Sequence, residues 1–419
     1  MFSLEVGEEL RIEADSKKVF VTLDTGHAEI FGWELPCGET VELARTKLAL
    51  YTWHGCMISV RGEPKCCYKG DTTPMKTFAN LHAYLQQSRR AALNSNTSGP
   101  RIMVVGPPNT GKSSLVKLLL NYAVREGERP MMVDLDVSKA RALFLPGSLG
   151  AVAVTSFISP TDSNSMAHPL AYYYGYRDCT RSSDLFKSLV DDLATQIAAR
   201  QNSGFDEQGK AAGLVIDTFS YHASSQPSYD LLVACAKSMK ADIIVVMDMD
   251  KLFCDLQRDL GGSDEGGVQI IKLAKGGGVV VPDHSFQKQA EKEVIQDYFY
   301  GRERELCPRP IVFPFSKLQF FRTAATPQVP KDALPIGITA IESKMEVQVV
   351  EPDLNLENKL LAVAGRNPSD DQELVCVNVA GFVHVQRVDL QEEKLTILAP
   401  NGLPMPSSKL LVGDIDFLE

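Results

Sequence analysis

The sequence predicts an α/β protein in which a central phosphate-loop domain, built on a parallel sheet, is flanked by β-rich domains at both ends. Three observations predict it. A buried strand, a glycine-rich turn and a helix start run together from Arg101 to Ser114. Strand and helix patterns then alternate as far as Asp248, as they do when a parallel sheet carries helices on both faces. Short alternating segments bounded by Gly, Pro and Asp fill the stretch from Glu8 to about Gly70 and the chain beyond Arg302.

A length of 419 residues exceeds one compact core and implies two or three domains. The hydrophobic fraction of 44% and charged fraction of 23% are those of a globular protein. A net charge of −10 argues against non-specific binding of nucleic acid over a broad surface, while leaving room for a local basic groove. No apolar run is long enough to span a bilayer, and Met1 to Val6 lacks the basic-then-apolar order of a signal peptide, so an intracellular protein without membrane association is expected. Nine cysteines, an odd number without framework spacing, fit reduced thiols, and Cys66-Cys67 have no companion pair or His cluster to suggest zinc.

Taken in order, Leu10-Arg11-Ile12-Glu13, Val19 to Leu23 and Lys47 to Trp53 read as strands of an N-terminal β domain over 1–93, which closes with a helix carrying Phe78, Leu81 and Leu85. The polar run 94–100 is a linker. The phosphate-loop domain covers 101–302, with strands at Met131 to Asp136, Leu214 to Asp217 and Ile243 to Asp248 and helices at Leu185 to Ala199 and Tyr229 to Met239. Polar glycine stretches near 202–210 and 261–267 are expected to be loose loops. Residues 276–301, from the Gly-Gly-Gly run to Tyr298-Phe299-Tyr300-Gly301, are read as a mobile lid, and 303–419 as a C-terminal β-rich domain.

Gly106 to Ser113 matches the loop G-x-x-x-x-G-K-[ST]. Gly111 lets backbone approach a phosphate, Lys112 reaches the terminal phosphates, and the Ser113 hydroxyl suits Mg²⁺. Pro107 and Pro108 offer no N–H, but they precede the positions that face phosphate, so Asn109, Thr110, Gly111, Lys112, Ser113 and Ser114 form the cradle at the helix N-terminus. Asp136, after the next strand, is the first choice for a second Mg²⁺ ligand, with Asp217 and Asp248 behind it. No guanine-reading N-K-x-D run is present, which sets aside a GTPase.

Several words in this order resemble the Clp family of polynucleotide 5′-hydroxyl kinases and pre-mRNA cleavage and polyadenylation factor subunits. They are Glu9-Leu10-Arg11, Ala28-Glu29-Ile30-Phe31-Gly32, Thr52-Trp53-His54-Gly55-Cys56, the phosphate loop, Asn121-Tyr122-Ala123, Asp134-Leu135-Asp136-Val137, Pro146-Gly147 and Tyr298-Phe299-Tyr300-Gly301. The resemblance covers essentially the whole chain. It implies ATP and Mg²⁺ as cofactors, with the adenine end held by an acid at Glu9 and a lysine at Lys47. It also marks departures. Catalytic members carry D-V-G-Q where this chain has Asp136-Val137-Ser138-Lys139; a Ser/Thr-Pro that clasps the RNA end is missing from Gly175 to Thr180; the base-stacking tryptophan becomes Tyr221, which still offers a stacking ring. Phosphate-clamping arginines are absent from Val279 to Asp297, leaving Lys288 and Lys292, which cannot form the bidentate fork.

The resemblance thus implies a nuclear, ATP-binding scaffold subunit of the pre-mRNA 3′-end cleavage and polyadenylation machinery, descended from an RNA kinase and inactive as one. Its partners would be other cleavage-factor subunits, notably the large scaffold protein, with RNA as a further one. The alternative is an active RNA 5′-hydroxyl kinase serving mRNA 3′-end processing or tRNA splicing, with Lys112 and Asp136 catalytic and Lys288 in place of arginine.

Overall fold

The computed structural model describes residues 1–139, 144–160, 169–203, 206–262, 267–302, 304–325, 345–366, 371–400 and 405–418. The N-terminal strands are β1 (Phe2–Leu4), β2 (Glu9–Ala14), β3 (Val19–Gly26), β4 (Glu29–Ile30), β5 (Trp33–Glu34), β6 (Thr40–Leu43), β7 (Thr46–Tyr51), β8 (Cys56–Gly62) and β9 (Cys66–Gly70). They form two facing sheets, ordered β1-β8-β3-β6 and β5-β4-β7-β2-β9. Period-two alternation sends Leu10, Ile12 and Ala14 of β2 into the core between the sheets. Glu9, Arg11 and Glu13 take the opposite face, where Arg11 lies against Gly277 and Gly278 of the central domain.

Helix α1 (Met75–Ser95) takes in the first two residues of the expected linker and ends on Asn96 in the left-handed conformation, φ 53°. Its buried Met75, Leu81 and Leu85 pack into the core of the central domain, not between the N-terminal sheets.

The central domain contains β10 (Arg101–Val105), α2 (Lys112–Arg125), β11 (Met131–Asp134), β12 (Ser148–Ala153), β13 (Leu170–Tyr173), α3 (Ser183–Asn202), α4 (Glu207–Ala212), β14 (Leu214–Asp217), α5 (Gln226–Ser238), β15 (Ile243–Met247), α6 (Asp250–Asp259) and β16 (Gln269–Leu273). Its sheet is ordered β13-β12-β11-β14-β10-β15-β16. The run from β11 to β16 is parallel, and β12 and β13 add an antiparallel edge that the sequence reading did not place. Both faces are covered: Ile102 and Val104 of β10 pack beneath α1 and α2, while Met103 and Val105 pack against α3 and α5.

One expectation changes here. The stretch near 202–210, expected as a loose loop, contains the start of α4, because the Asp206 carboxylate accepts from the Gly209 backbone N at 2.8 Å and caps the helix. Of the stretch near 261–267, residues 263–266 lie outside the described residues.

After α7 (His284–Tyr300) the C-terminal strands are β17 (Arg309–Pro314), β18 (Gln319–Ala325), β19 (Met345–Val350), β20 (Lys359–Ala364), β21 (Val379–Asp389), β22 (Lys394–Ala399) and β23 (Lys409–Asp416), in one sheet ordered β17-β22-β21-β20-β23-β18-β19. One face of β20, with Leu360, Ala362 and Ala364, packs against Ile295 and Phe299 of α7 and against Ala171 and Tyr173 of the central edge. The last turns of the expected lid are therefore core, because Ile295 and Phe299 recur on one helical face that the C-terminal sheet covers. No helix among the described residues is long and apolar enough to cross a membrane.

Candidate nucleotide site

The loop between β10 and α2 folds as its glycines require. Gly106 lies so near β15 that a Cβ there would sit 2.8 Å from the Met247 carbonyl oxygen, and Gly111, the N-cap of α2, has φ +89°. Asn109 is also left-handed, φ 56°. Lys112, 3% exposed, donates from Nζ to the carbonyls of Gly106 at 3.0 Å and Pro107 at 2.9 Å. Thr110 Oγ1 closes the turn by donating to Pro107 O at 3.0 Å.

Above this loop is a cavity of about 390 Å³. Asn109 to Ser114 form its floor, Glu9, Arg45, Lys47 and Tyr51 one wall, Met75 and Phe78 of α1 another, and Gly276 to Phe286 its cover. Every residue that the sequence assigned to nucleotide thus lines one space.

The wall follows from strand pairing. Antiparallel β2 and β7 set Glu9 opposite Tyr51 and Glu13 opposite Lys47, so these four side chains share one face. Glu9 Oε1 accepts from Arg11 Nε at 2.6 Å, and Arg11 in turn donates to Thr72 O at 2.5 Å. Lys47 Nζ is 3.2 Å from Glu13 Oε2. Burial, then the carboxylates of Glu29 and Glu9, push the Tyr51 hydroxyl above its ordinary pKa, so it stays protonated as a donor.

The cover meets the wall closely. A Cβ on Gly278 would stand 2.7 Å from Arg11 Nε, so glycine lets this segment cross the guanidinium. Phe286 lies beneath Lys47, whose Nζ is 5.4 Å from the ring centroid. Glu293 of α7 pairs with Arg45, and Glu291 with Arg177. The sequence reading gave no role to Arg11, Arg45 or Phe286; only pairing across long sequence separations brings them here.

At the phosphate end the candidate metal acids separate. Asp136, with a fully buried side chain, has Oδ2 2.8 Å from Lys139 Nζ, and Oδ1 accepts from Ser138 N at 3.2 Å and Ser138 Oγ at 2.5 Å. Lys139 lines the cavity; Asp136 stands behind it. Asp217 is fully buried at the end of β14, and Asp248 is an exposed turn residue with φ 53°. Lys288 and Lys292 lie on α7 and do not line the cavity.

Tyr221 corrects an expectation. At 4% exposure it is packed edge-on to Tyr229, with centroids 6.4 Å apart, and its backbone N donates to Gly106 O at 3.0 Å. Its ring is core and offers no open face to a base, while its backbone N braces the loop. The Gly175 to Thr180 segment is likewise tied down: Gly175 O accepts from Asp414 N at 2.7 Å, and Asp178 Oδ1 accepts from Thr180 N and Oγ1 at 2.9 and 2.8 Å.

Three family models match the chain. Residues 3–92 match the N-terminal beta-sandwich domain of polyadenylation factor, 106–301 the mRNA cleavage and polyadenylation factor CLP1 P-loop, and 306–419 the pre-mRNA cleavage complex II protein Clp1. A relative named Protein CLP1 homolog from Arabidopsis thaliana is 37% identical, over 99% of this chain and 94% of its own. One from Homo sapiens, named Polyribonucleotide 5′-hydroxyl-kinase Clp1, is 34% identical over 100% and 96%. A solved structure described as the extended interface between Pcf11p and Clp1p, with the structural basis for ATP loss in a point mutant, shares the fold with a TM-score of 0.85. It is 21% identical and is covered over 98% of its length by 100% of this chain.

Proposed function

The chain belongs to the Clp1 family of mRNA cleavage and polyadenylation factors, and on that premise we propose that it is an ATP-holding scaffold subunit of the pre-mRNA 3′-end cleavage machinery that does not act as an RNA kinase. The observation that carries this reading is an intact phosphate cradle beside a carboxylate, Asp136, that Lys139 already neutralises at 2.8 Å. The lid adds weight, since Val279 to Asp297 contains no arginine to stabilise charge on a transferring phosphoryl group.

The residues fit a nucleoside triphosphate. Asn109 to Ser114 and Lys112 take the phosphates, while Glu9 and Lys47 stand on the wall assigned to adenine. They fit Mg²⁺ less well. Ser113 has a suitable hydroxyl, but the oxygens of Asp136 are engaged by Lys139 and Ser138. The place of action is the nucleus, and the partner is another subunit of the cleavage factor, its large scaffold protein, docking as Pcf11p does on Clp1p in that solved complex.

Nucleotide in this cavity touches the N-terminal domain, the central loop and the cover at once, and so acts as a staple. A ligand bridging domains restricts their relative motion and lowers the entropy lost when a partner docks. A second reading, an active 5′-hydroxyl kinase, is favoured by the complete loop motif and by the activity in the human relative's name. Pure protein incubated with labelled ATP and 5′-hydroxyl RNA separates the two. No transfer is expected; robust transfer that disappears in Lys112→Ala would overturn the scaffold reading in favour of the kinase.

A further inference from the structure

The charge arrangement behind the phosphate loop carries an inference that rests on the nucleotide-binding reading. Asp136 lies two residues past β11, where its backbone N donates to Asp134 Oδ1 at 3.0 Å and turns the chain inward. Its side chain is fully buried, yet the Lys139 side chain that pairs with it is 48% exposed and forms part of the cavity lining with Asn109 to Ser114. A buried carboxylate therefore anchors an ammonium that faces the space where the phosphates would lie. A lysine ammonium is a compact charge with three donors on a flexible stem. One carboxylate oxygen does not exhaust those donors.

We propose that Lys139 is the counter-cation of the phosphate end, and that nucleoside triphosphate binds this protein without dependence on Mg²⁺. A divalent ion that used Asp136 would have to displace Lys139 or lie a few ångströms from its positive charge. Mg²⁺ also demands near-octahedral oxygens at about 2.0–2.1 Å and sheds water reluctantly, while Asp136 Oδ2 is already ion-paired with the Lys139 ammonium and Oδ1 accepts from Ser138 N and Oγ. Lys139 needs no recruitment from solution, since it is tethered three residues from its anchor. The Asp136–Lys139 pair would hold the terminal phosphates as Lys112 does from the other side.

The test measures ATP affinity of the full chain, by equilibrium titration and by melting shift, in EDTA and in excess Mg²⁺, for wild type, Lys139→Gln and Lys139→Arg. Wild type and Lys139→Arg are expected to differ by less than about threefold between the two conditions, whereas Lys139→Gln weakens by about tenfold or more in EDTA and recovers with Mg²⁺. If wild type itself needs Mg²⁺ by tenfold or more, the counter-cation is overturned and nucleotide binding stands. Equal affinity of Lys139→Gln and wild type in EDTA overturns it too. Wild type that binds ATP in neither condition removes the nucleotide reading, and this inference with it.

Discussion

The ammonium of Lys47 sits 5.4 Å from the ring centroid of Phe286, which joins the N-terminal wall of the cavity to the segment that covers it. Because Lys47 also pairs with Glu13 at 3.2 Å, its charge is held in place on the wall. Lys47→Ala should therefore weaken ATP binding and loosen the cover together. A ligand at a hundred times its dissociation constant stabilises by about 2.7 kcal/mol. Thermal melting with and without ATP should show that gain in wild type and a much smaller one in the variant; an equal shift would mean that Lys47 does not meet the nucleotide.

In the proposed site Lys112 is the second point of attachment. With its Nζ on the Gly106 and Pro107 carbonyls at the loop mouth, Lys112→Ala is expected to abolish the ATP-dependent melting shift. If the variant still gains the wild-type shift, phosphate is bound elsewhere.

The staple idea extends these two variants to the partner. Lys112→Ala and Lys47→Ala should pull down less cleavage-factor scaffold protein than wild type, although neither substitution is designed to remove a partner contact. Variants that have lost nucleotide yet melt and associate as wild type would show that the nucleotide is dispensable for assembly.

The N-terminal domain is also tied to α2 without any ligand. Glu29, 3% exposed, accepts from the Tyr122 hydroxyl and from Arg125 at 3.1 Å, and Asn121 Nδ2 donates to Phe31 O at 2.9 Å. Glu29→Ala strands a buried hydroxyl and part of a guanidinium, at about 2–3 kcal/mol, whereas Tyr122→Phe removes one hydrogen bond at about 1 kcal/mol. Urea unfolding should rank them in that order. A Glu29→Ala midpoint equal to that of wild type would mean that this contact contributes nothing to stability.

His82 of α1 predicts a pH dependence. Burial, and then the charges of Arg89 and Arg125, lower its pKa from an ordinary 6.5 to about 4, and its ring packs edge-on to Tyr122 with centroids 5.2 Å apart. The folded protein resists a proton that the unfolded chain accepts. Its contribution is therefore fully present above pH 6.5, falls as pH drops below that value, and levels off near pH 4. Unfolding free energy measured at pH 7.5 and 5 should fall less in His82→Gln than in wild type; identical slopes would assign the acid sensitivity to other groups.

Much was legible in the sequence wherever the information is local. The phosphate loop lies within one contiguous stretch, where Gly106 and Gly111 meet backbone demands that other residues do not, so its position follows from spacing alone. The helices after it follow from apolar period, although α5 begins at Gln226 instead of the expected Tyr229, where the Ser225 hydroxyl caps it by accepting from Ser228 N. The family resemblance added Glu9 and Lys47, which as isolated residues read as solvated strand charges. Tertiary structure decided the rest, because strand register and domain docking join residues far apart in sequence. The β2–β7 pairing set Glu9 and Lys47 on one face, while the glycine crossing at Gly278 placed Arg11 under the cover. Packing against Tyr229 took Tyr221 out of reach of a base, and the C-terminal sheet made core of the last turns of α7. Even the Lys139 substitution, visible as a letter, acquires its consequence only in the fold. Its meaning depends on Asp136 being fully buried and 2.8 Å away, and burial is a property of what packs around a residue, not of the residue itself.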